Sequence, residues 1–115
     1  MAIVLRAGEV PRVSPTAHLF EGAEHGVAVS AFVVDSTPGL GPSLHTHPYP
    51  EVFIVHEGEA TFAVDGAEVT AVAGDIVVAP AGRPHRFTNT GAGRLLMTSI
   101  SPAGRTETTW LDGGE

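Results

Sequence analysis

Two histidines two residues apart, His45 and His47, with the carboxylate of Glu51 four residues further on, are the side chains of this sequence best suited to chemistry. On an extended strand, residues i and i+2 project from one face, so both imidazoles converge on a single point. Glu51 follows a Pro48-Tyr49-Pro50 turn and opens a new apolar run, from which its carboxylate can close on that point. Two nitrogen donors and one oxygen donor suit a first-row transition metal. The set still lacks a fourth donor, which must come from elsewhere in the chain.

The elements that position these residues belong to a chain of 115 residues, near the usual size of one domain and long enough to bury a single core. We read it as one domain over 1–115, with its core at about 26–102 and a frayed tail at 112–115. A net charge of −7 with only six Lys and Arg, and no basic run, argues against a nucleic-acid partner. The absence of cysteine excludes disulfides, thiolate ligands and cysteine nucleophiles, so any ion is bound through nitrogen and oxygen. The first ten residues, MAIVLRAGEV, lack the pattern of a signal peptide, and no apolar run is long enough to span a membrane. The expectation is a cytoplasmic protein without membrane contact.

Gly and Pro, 14 and 9 in number, punctuate many short β-favouring runs. Strands are expected at 2–6, 17–21, 26–35, 44–47, 51–56, 59–64, 67–72, 76–79, 84–89 and 94–101. Asp65-Gly66 reads as a type I′ hairpin turn, and Pro80-Ala81-Gly82 as a type I turn. About ten short strands with turns every 8–12 residues, and little or no helix, define an all-β antiparallel sandwich or barrel. The one segment considered for a helix, 11–24, is too rich in Pro and Gly.

A second informative stretch is GDIVVAPAGRPHRFTN, residues 74–89. Here the chain resembles the cupin superfamily, in the manner of its small single-domain members. The first cupin motif, G-x5-HxH-x3/4-E-x6-G, falls on Gly39, His45, His47, Glu51 and Gly58. The second, G-x5-PxG-x2-H-x3-N, falls on Gly74, Pro80, Gly82, His85 and Asn89. Every specified position is present, and the segment between the motifs, 59–73, is short. The resemblance implies a double-stranded β-helix, or jelly-roll barrel. It also implies one divalent transition metal per chain (Fe, Mn, Ni, Zn, Co or Cu) held by His45, His47, Glu51 and His85. Four protein donors leave two positions of an octahedral ion for water or substrate.

Each of these residues also has a blander reading. Alone, His45-x-His47 would as readily be a pair of hydrogen-bonded strand residues with Glu51 a surface charge; the complete second motif tips the balance to a metal site. Gly39, Gly58, Gly74, Pro80, Gly82 and Asn89 are assigned structural roles in turns and strand ends. His56 has the opposite parity to Glu51 and is read as a surface or interface residue. His18 and His25 are read as satisfied polar or loop residues. Arg86 should face outward and Arg83 should form a surface ion pair. Phe53 and Val55 share the parity of Glu51, and Phe87 that of His85, so all three are expected to line the interior beside the metal. Phe32, Met97 and Tyr49 (the last at the mouth) are weaker candidates.

A pocket lined this way suits a small aromatic or ketide-like ligand. Three functions compete: a metal-dependent oxygenase with dioxygenase-like chemistry; a non-redox isomerase, cyclase or decarboxylase using the ion as a Lewis acid; and a non-catalytic small-molecule binding protein. With no free Asp or Glu evident inside as a general base, oxygenase chemistry ranks first. An apolar N-terminal strand at Ile3–Leu5 would be an exposed edge, which favours a homodimer.

Overall fold

Buried side chains alternate with more exposed ones along strands such as Glu51–Glu57, and strands of this kind enclose the core. In the computed structural model, which describes residues 1–111, eleven strands are present: β1 (Arg12–Ser14), β2 (Ala17–Glu21), β3 (Ser30–Ser36), β4 (His45–Thr46), β5 (Glu51–Glu57), β6 (Glu59–Val64), β7 (Ala67–Val72), β8 (Ile76–Ala79), β9 (His85–Asn89), β10 (Leu95–Ser101) and β11 (Thr109–Trp110). They form a six-stranded sheet in the order β1-β2-β3-β10-β5-β8 and a five-stranded sheet in the order β11-β4-β9-β6-β7. All pairs are antiparallel, and the two sheets face each other as the walls of an all-β barrel. The frayed tail expected at 112–115 lies outside the described residues. No helix among them is long and apolar enough to cross a membrane.

Three strand expectations need correction. Residues 2–6 join neither sheet; they run extended into a 3-10 turn at Ala7–Glu9, with the Glu9 carboxylate accepting the Arg6 amide. The sequence there is β-favouring but has no partner strand, and an isolated strand gains no ladder bonds. The argument for a homodimer from an N-terminal edge falls with it. The strand expected from residue 26 begins only at Ser30, because Gly22–His25 forms a second 3-10 turn closed by Gly26 at φ 75°. The short strands β1 and β11 were not anticipated.

Local signals fared better. Asp65 and Gly66 both take positive φ, 51° and 84°, as a type I′ turn demands, and β6 and β7 pair in full register from Glu59↔Val72 to Val64↔Ala67.

The barrel interior divides along its axis. One end is packed solid by Val55, Phe62, Leu95 and Met97, each at most 1% exposed. The other end is open. Register decides which residues go where: Phe53 opposes Ser99 at the open end, whereas Val55 opposes Met97 at the closed one.

Candidate metal centre

His45 lies in β4 opposite His85, the first residue of β9, so a single ladder pairing sets two imidazoles side by side with ring centroids 4.4 Å apart. His47 follows immediately after β4, its carbonyl held by the Gly82 amide at 2.8 Å. Glu51 begins β5 and reaches across from the opposite sheet. Its Oε1 lies 3.2 Å from His47 Nε2 and 3.2 Å from His85 Nε2. All four side chains are buried, and one donor atom from each lies within 4.8 Å of all the others.

The imidazoles are oriented for a common centre. The Nδ1–H of His45 donates to the Ser43 carbonyl at 2.7 Å, that of His47 to the Glu107 carbonyl at 3.0 Å, and that of His85 to the Arg83 carbonyl at 3.1 Å. With Nδ1–H donated in this way, each ring turns Nε2 inward, where it can give a lone pair to an ion once it carries no proton, the arrangement metal-binding histidines need. Donors about 2.1 Å from one ion and at right angles to each other sit about 3 Å apart. The Glu51–His spacings match that, so the donor set fits a divalent transition metal in both chemistry and spacing.

Charge is distributed unevenly. Burial pushes His45 down to about 4, against the pull of the Ser43 carbonyl, so it is neutral at pH 7. Burial opposes the His47 cation too, but the Glu51 carboxylate and the Glu107 carbonyl outweigh it and raise His47 above its ordinary value. Glu51 is likewise penalised by burial, yet hydrogen bonds from His47, His85 and Ser99 bring it down to about 2. Without an ion, the ionised Glu51 carboxylate favours a proton on His47.

A cavity of about 510 Å³ opens beside His45, His47 and Glu51. His85 sits beneath its wall, covered by His45 and by Phe53, whose ring centroid is 6.0 Å away. Of the expected lining residues, Phe53, Phe87 and Phe32 face the cavity. Val55, Met97 and Tyr49 do not. Parity gives the face of a strand but not the position along the barrel axis. Four residues of strand carry Val55 about 13 Å beyond Glu51 into the packed end, and Met97 goes with it. Tyr49 instead stacks on the outer side of His47, centroids 5.0 Å apart and planes 11° from parallel.

The C-terminal segment supplies a wall that the sequence reading missed. Thr106, Thr108 and Trp110 all line the cavity, and Trp110 pairs with His45 across β11 and β4. Their period-two spacing was the available signal. The loop before β4 closes another side through Leu40, Gly41 and Pro42. Here the backbone approaches so closely that a Cβ on Gly41 would lie 1.9 Å from the Phe87 carbonyl oxygen.

The remaining candidates are placed away from the cavity. Asn89 is buried at the far end of β9, where its amide donates to the Ser36 and Gly93 carbonyls, both at 2.9 Å, and its Oδ1 accepts the Gly91 amide. His56 is exposed and bonds Thr98; His18 bonds the Val10 carbonyl; His25 stacks on Phe20. Arg86 is exposed, and Arg83 pairs at the surface with Asp65 at 3.4 Å.

A small antiparallel barrel with three histidines and one glutamate converging inside it defines a class of metal-binding β-barrel proteins. The chain belongs to the cupin family: the cupin domain profile matches residues 32–101, which contain all four converging residues. No curated protein matches it by sequence. Among solved structures it is similar to an oxalate decarboxylase variant from Bacillus subtilis, with a TM-score of 0.79 and 22% identity over 91% of this chain and 30% of that one. The Lactobacillus farciminis oxalate decarboxylase in its formate complex gives 0.79 and 21%, over 91% of this chain and 34% of that one. A further Bacillus subtilis oxalate decarboxylase, with Mn(II) centres, gives 0.78 and 23%, over 91% and 30%. At these identities the likeness is one of fold. The chain spans about a third of the length of those enzymes.

Proposed function

We propose that this chain, as a single domain, is a metal-dependent oxygenase acting on a small, uncharged and largely apolar organic molecule, with His45, His47, Glu51 and His85 as the metal ligands. A redox-active ion such as Fe(II), held by these four residues, would relay electrons from the substrate to dioxygen and would offer the coordination positions that four protein donors leave free. The chain's own residues do the rest. Phe32, Phe53, Phe87 and Trp110 wall the cavity and keep water from the substrate, and the hydroxyls of Ser99, Thr106 and Thr108 are placed to orient it by hydrogen bonds. Glu51 offsets part of the ion's charge.

The lining carries this reading. Among the described residues it holds no Lys, Arg or Asp, and no carboxylate other than Glu51. Isomerisation, cyclisation or decarboxylation needs a proton donor or acceptor whose pKa lies near the working pH. Apart from the proposed ligands, the cavity offers only hydroxyls. The fold neighbours are named for oxalate, a dianion; this lining gives such a ligand no cationic side chain. A cytoplasmic homodimer is the proposed setting.

The test is turnover by the Fe(II)-loaded protein against a panel of small aromatic and ketide-like molecules, with and without dioxygen. Dioxygen uptake in step with product formation is the expected result. Turnover that continues under anaerobic conditions would assign Lewis-acid chemistry instead, and tight binding without turnover would assign a capture protein.

A further inference from the structure

We infer that the cavity selects an elongated, uncharged ligand of two linked or fused aromatic rings. Its hydroxyl or keto oxygen lies at the metal end, and its far ring lies bare under the β1–β2 hairpin. This rests on the oxygenase reading for what meets the ion, and adds to it a length, a direction and a residue that sets the limit.

One ladder row forms the floor of the cavity. Phe53 of β5 pairs with Ser99 of β10, Ser99 with Phe32 of β3, and Phe32 with Leu19 of β2. All four line the cavity. Three strand intervals of about 4.8 Å make this floor about 14 Å across, with Glu51 on the strand at one end and Leu19 at the other. The cavity also deepens away from the centre. One row further into the barrel, Ala17 and Val34 line it, whereas Met97 and Val55 continue that row toward the metal side and are packed solid. The volume of about 510 Å³ equals that of roughly 17 waters at ~30 Å³ each, more than a single ring can fill.

Polarity gives the direction. At the metal end, Ser99 hydrogen-bonds the Glu51 carboxylate and the Thr108 hydroxyl lies 3.3 Å from His47 Nδ1. At the far end the walls are Ala17, Leu19, Val34 and Leu40, and the hydroxyls of Ser14 and Thr16 are turned on each other at 3.4 Å. Aromatic side chains stand on both sides, Phe32 and Phe53 from one sheet and Phe87 and Trp110 from the other, which suits flat rings between them. The hairpin closes the far end. Arg12 braces its turn, the guanidinium donating to the Ser14 and Pro15 carbonyls at 3.2 and 2.7 Å.

Calorimetric titration of the full chain loaded with Zn(II), which is redox-inert, tests this with phenol, 4-phenylphenol and 4′-hydroxybiphenyl-4-carboxylate. The second ring should make 4-phenylphenol bind about 10- to 100-fold tighter than phenol. A carboxylate on the far ring should cost about 100-fold, since that end has no cation to meet it. Leu19→Phe shortens the floor and should cut the preference for 4-phenylphenol over phenol by about 10-fold or more. Leu19→Ala, which gives up contact without blocking space, should cut it about 3- to 10-fold. Circular dichroism and metal content matching the wild type show that the variants are folded. Binding of 4-phenylphenol no tighter than that of phenol, or a preference indifferent to both substitutions, would overturn the inference and leave the oxygenase reading standing. The expected preference in the Zn(II) protein, without dioxygen uptake by the Fe(II) protein, would overturn the oxygenase reading alone. Tighter binding of the carboxylate would overturn both, since each requires a lining without a cation.

Discussion

The hydroxyl of Tyr49 accepts the backbone N–H of Glu107 at 2.9 Å, fastening the C-terminal segment beside the metal centre. The carbonyl of that same Glu107 receives the Nδ1–H of His47. Tyr49 therefore acts on the centre at one remove, by holding the acceptor that orients a ligand. Tyr49→Phe removes one hydrogen bond, worth about 0.5–1.5 kcal/mol, and should lower metal affinity about 2- to 10-fold with the fold unchanged. Competition against a chromophoric chelator measures this. Unaltered affinity would mean that Thr106, whose amide and hydroxyl both bond the Glu21 carboxylate, holds the segment unaided.

Removing a donor should act far more strongly. His47→Ala deletes one of four converging side chains but none of the packed end around Phe62 and Leu95. The variant is expected to keep its β-sheet circular dichroism while losing most of its bound metal. Stoichiometric metal in folded His47→Ala, read by elemental analysis, would show that the ligand set is wrong.

Metal affinity should also fall on acidification. An ion can occupy the centre only if His47 gives up its proton, which the Glu51 carboxylate and the Glu107 carbonyl hold more firmly than an ordinary imidazole would. The expectation is proton release on metal binding near neutral pH and weakening of affinity from pH 7.5 toward 5. Calorimetry in buffers of different ionisation enthalpy counts those protons. A pH-independent affinity over this range would contradict coordination by histidine.

The metal-free protein has its own pH dependence, with opposing signs. His45, depressed to about 4, makes the unfolded chain the better proton acceptor between 6.5 and 4, so its contribution to stability is lost as pH falls through that window. Glu51, depressed to about 2, adds a further loss between 4.5 and 2. His47 works the other way: its contribution is full below 6.5 and disappears as pH rises through its raised pKa. The stability of the metal-free protein should therefore peak near pH 6.5. Urea midpoints measured across pH 3–8 would show this; a midpoint still climbing at pH 8 would run against it.

Two motif glycines should respond differently to the same substitution. Gly58 has φ 90°, and a Cβ there would lie 2.3 Å from the Arg94 carbonyl oxygen. Gly74 has a similar φ, 95°, with nothing within 4 Å of its Cβ position. Gly74→Ala should cost about 1 kcal/mol of backbone strain, and Gly58→Ala about 3 kcal/mol or more, since backbone must move as well. Equal losses in denaturant unfolding would show that the contact with Arg94 is easily relieved.

The strands that could be read from the sequence were those whose signals are local. β6 and β7 needed only alternation on either side of Asp65-Gly66, and their bounds are the expected ones. Residues 2–6 carry the same propensity without a partner, and partnership is a property of the whole sheet. The 3-10 turn at Gly22–His25 depends on Val27 and Gly26 closing back on Gly22, a detail too fine for composition.

At the site, the sequence by itself determined the chemistry. The types and spacing of His45, His47 and Glu51 specify nitrogen and oxygen donors on strands successive in the chain, because strand period and turn length are short-range properties. Tertiary structure decided what surrounds them. It put Phe53 at the open end and Val55 in the packed one, brought Thr106, Thr108 and Trp110 to the cavity from the far end of the chain, and set the Glu107 carbonyl against His47. Those relations depend on sheet register and on contacts between residues some sixty positions apart, and side-chain alternation along a strand contains no measure of either.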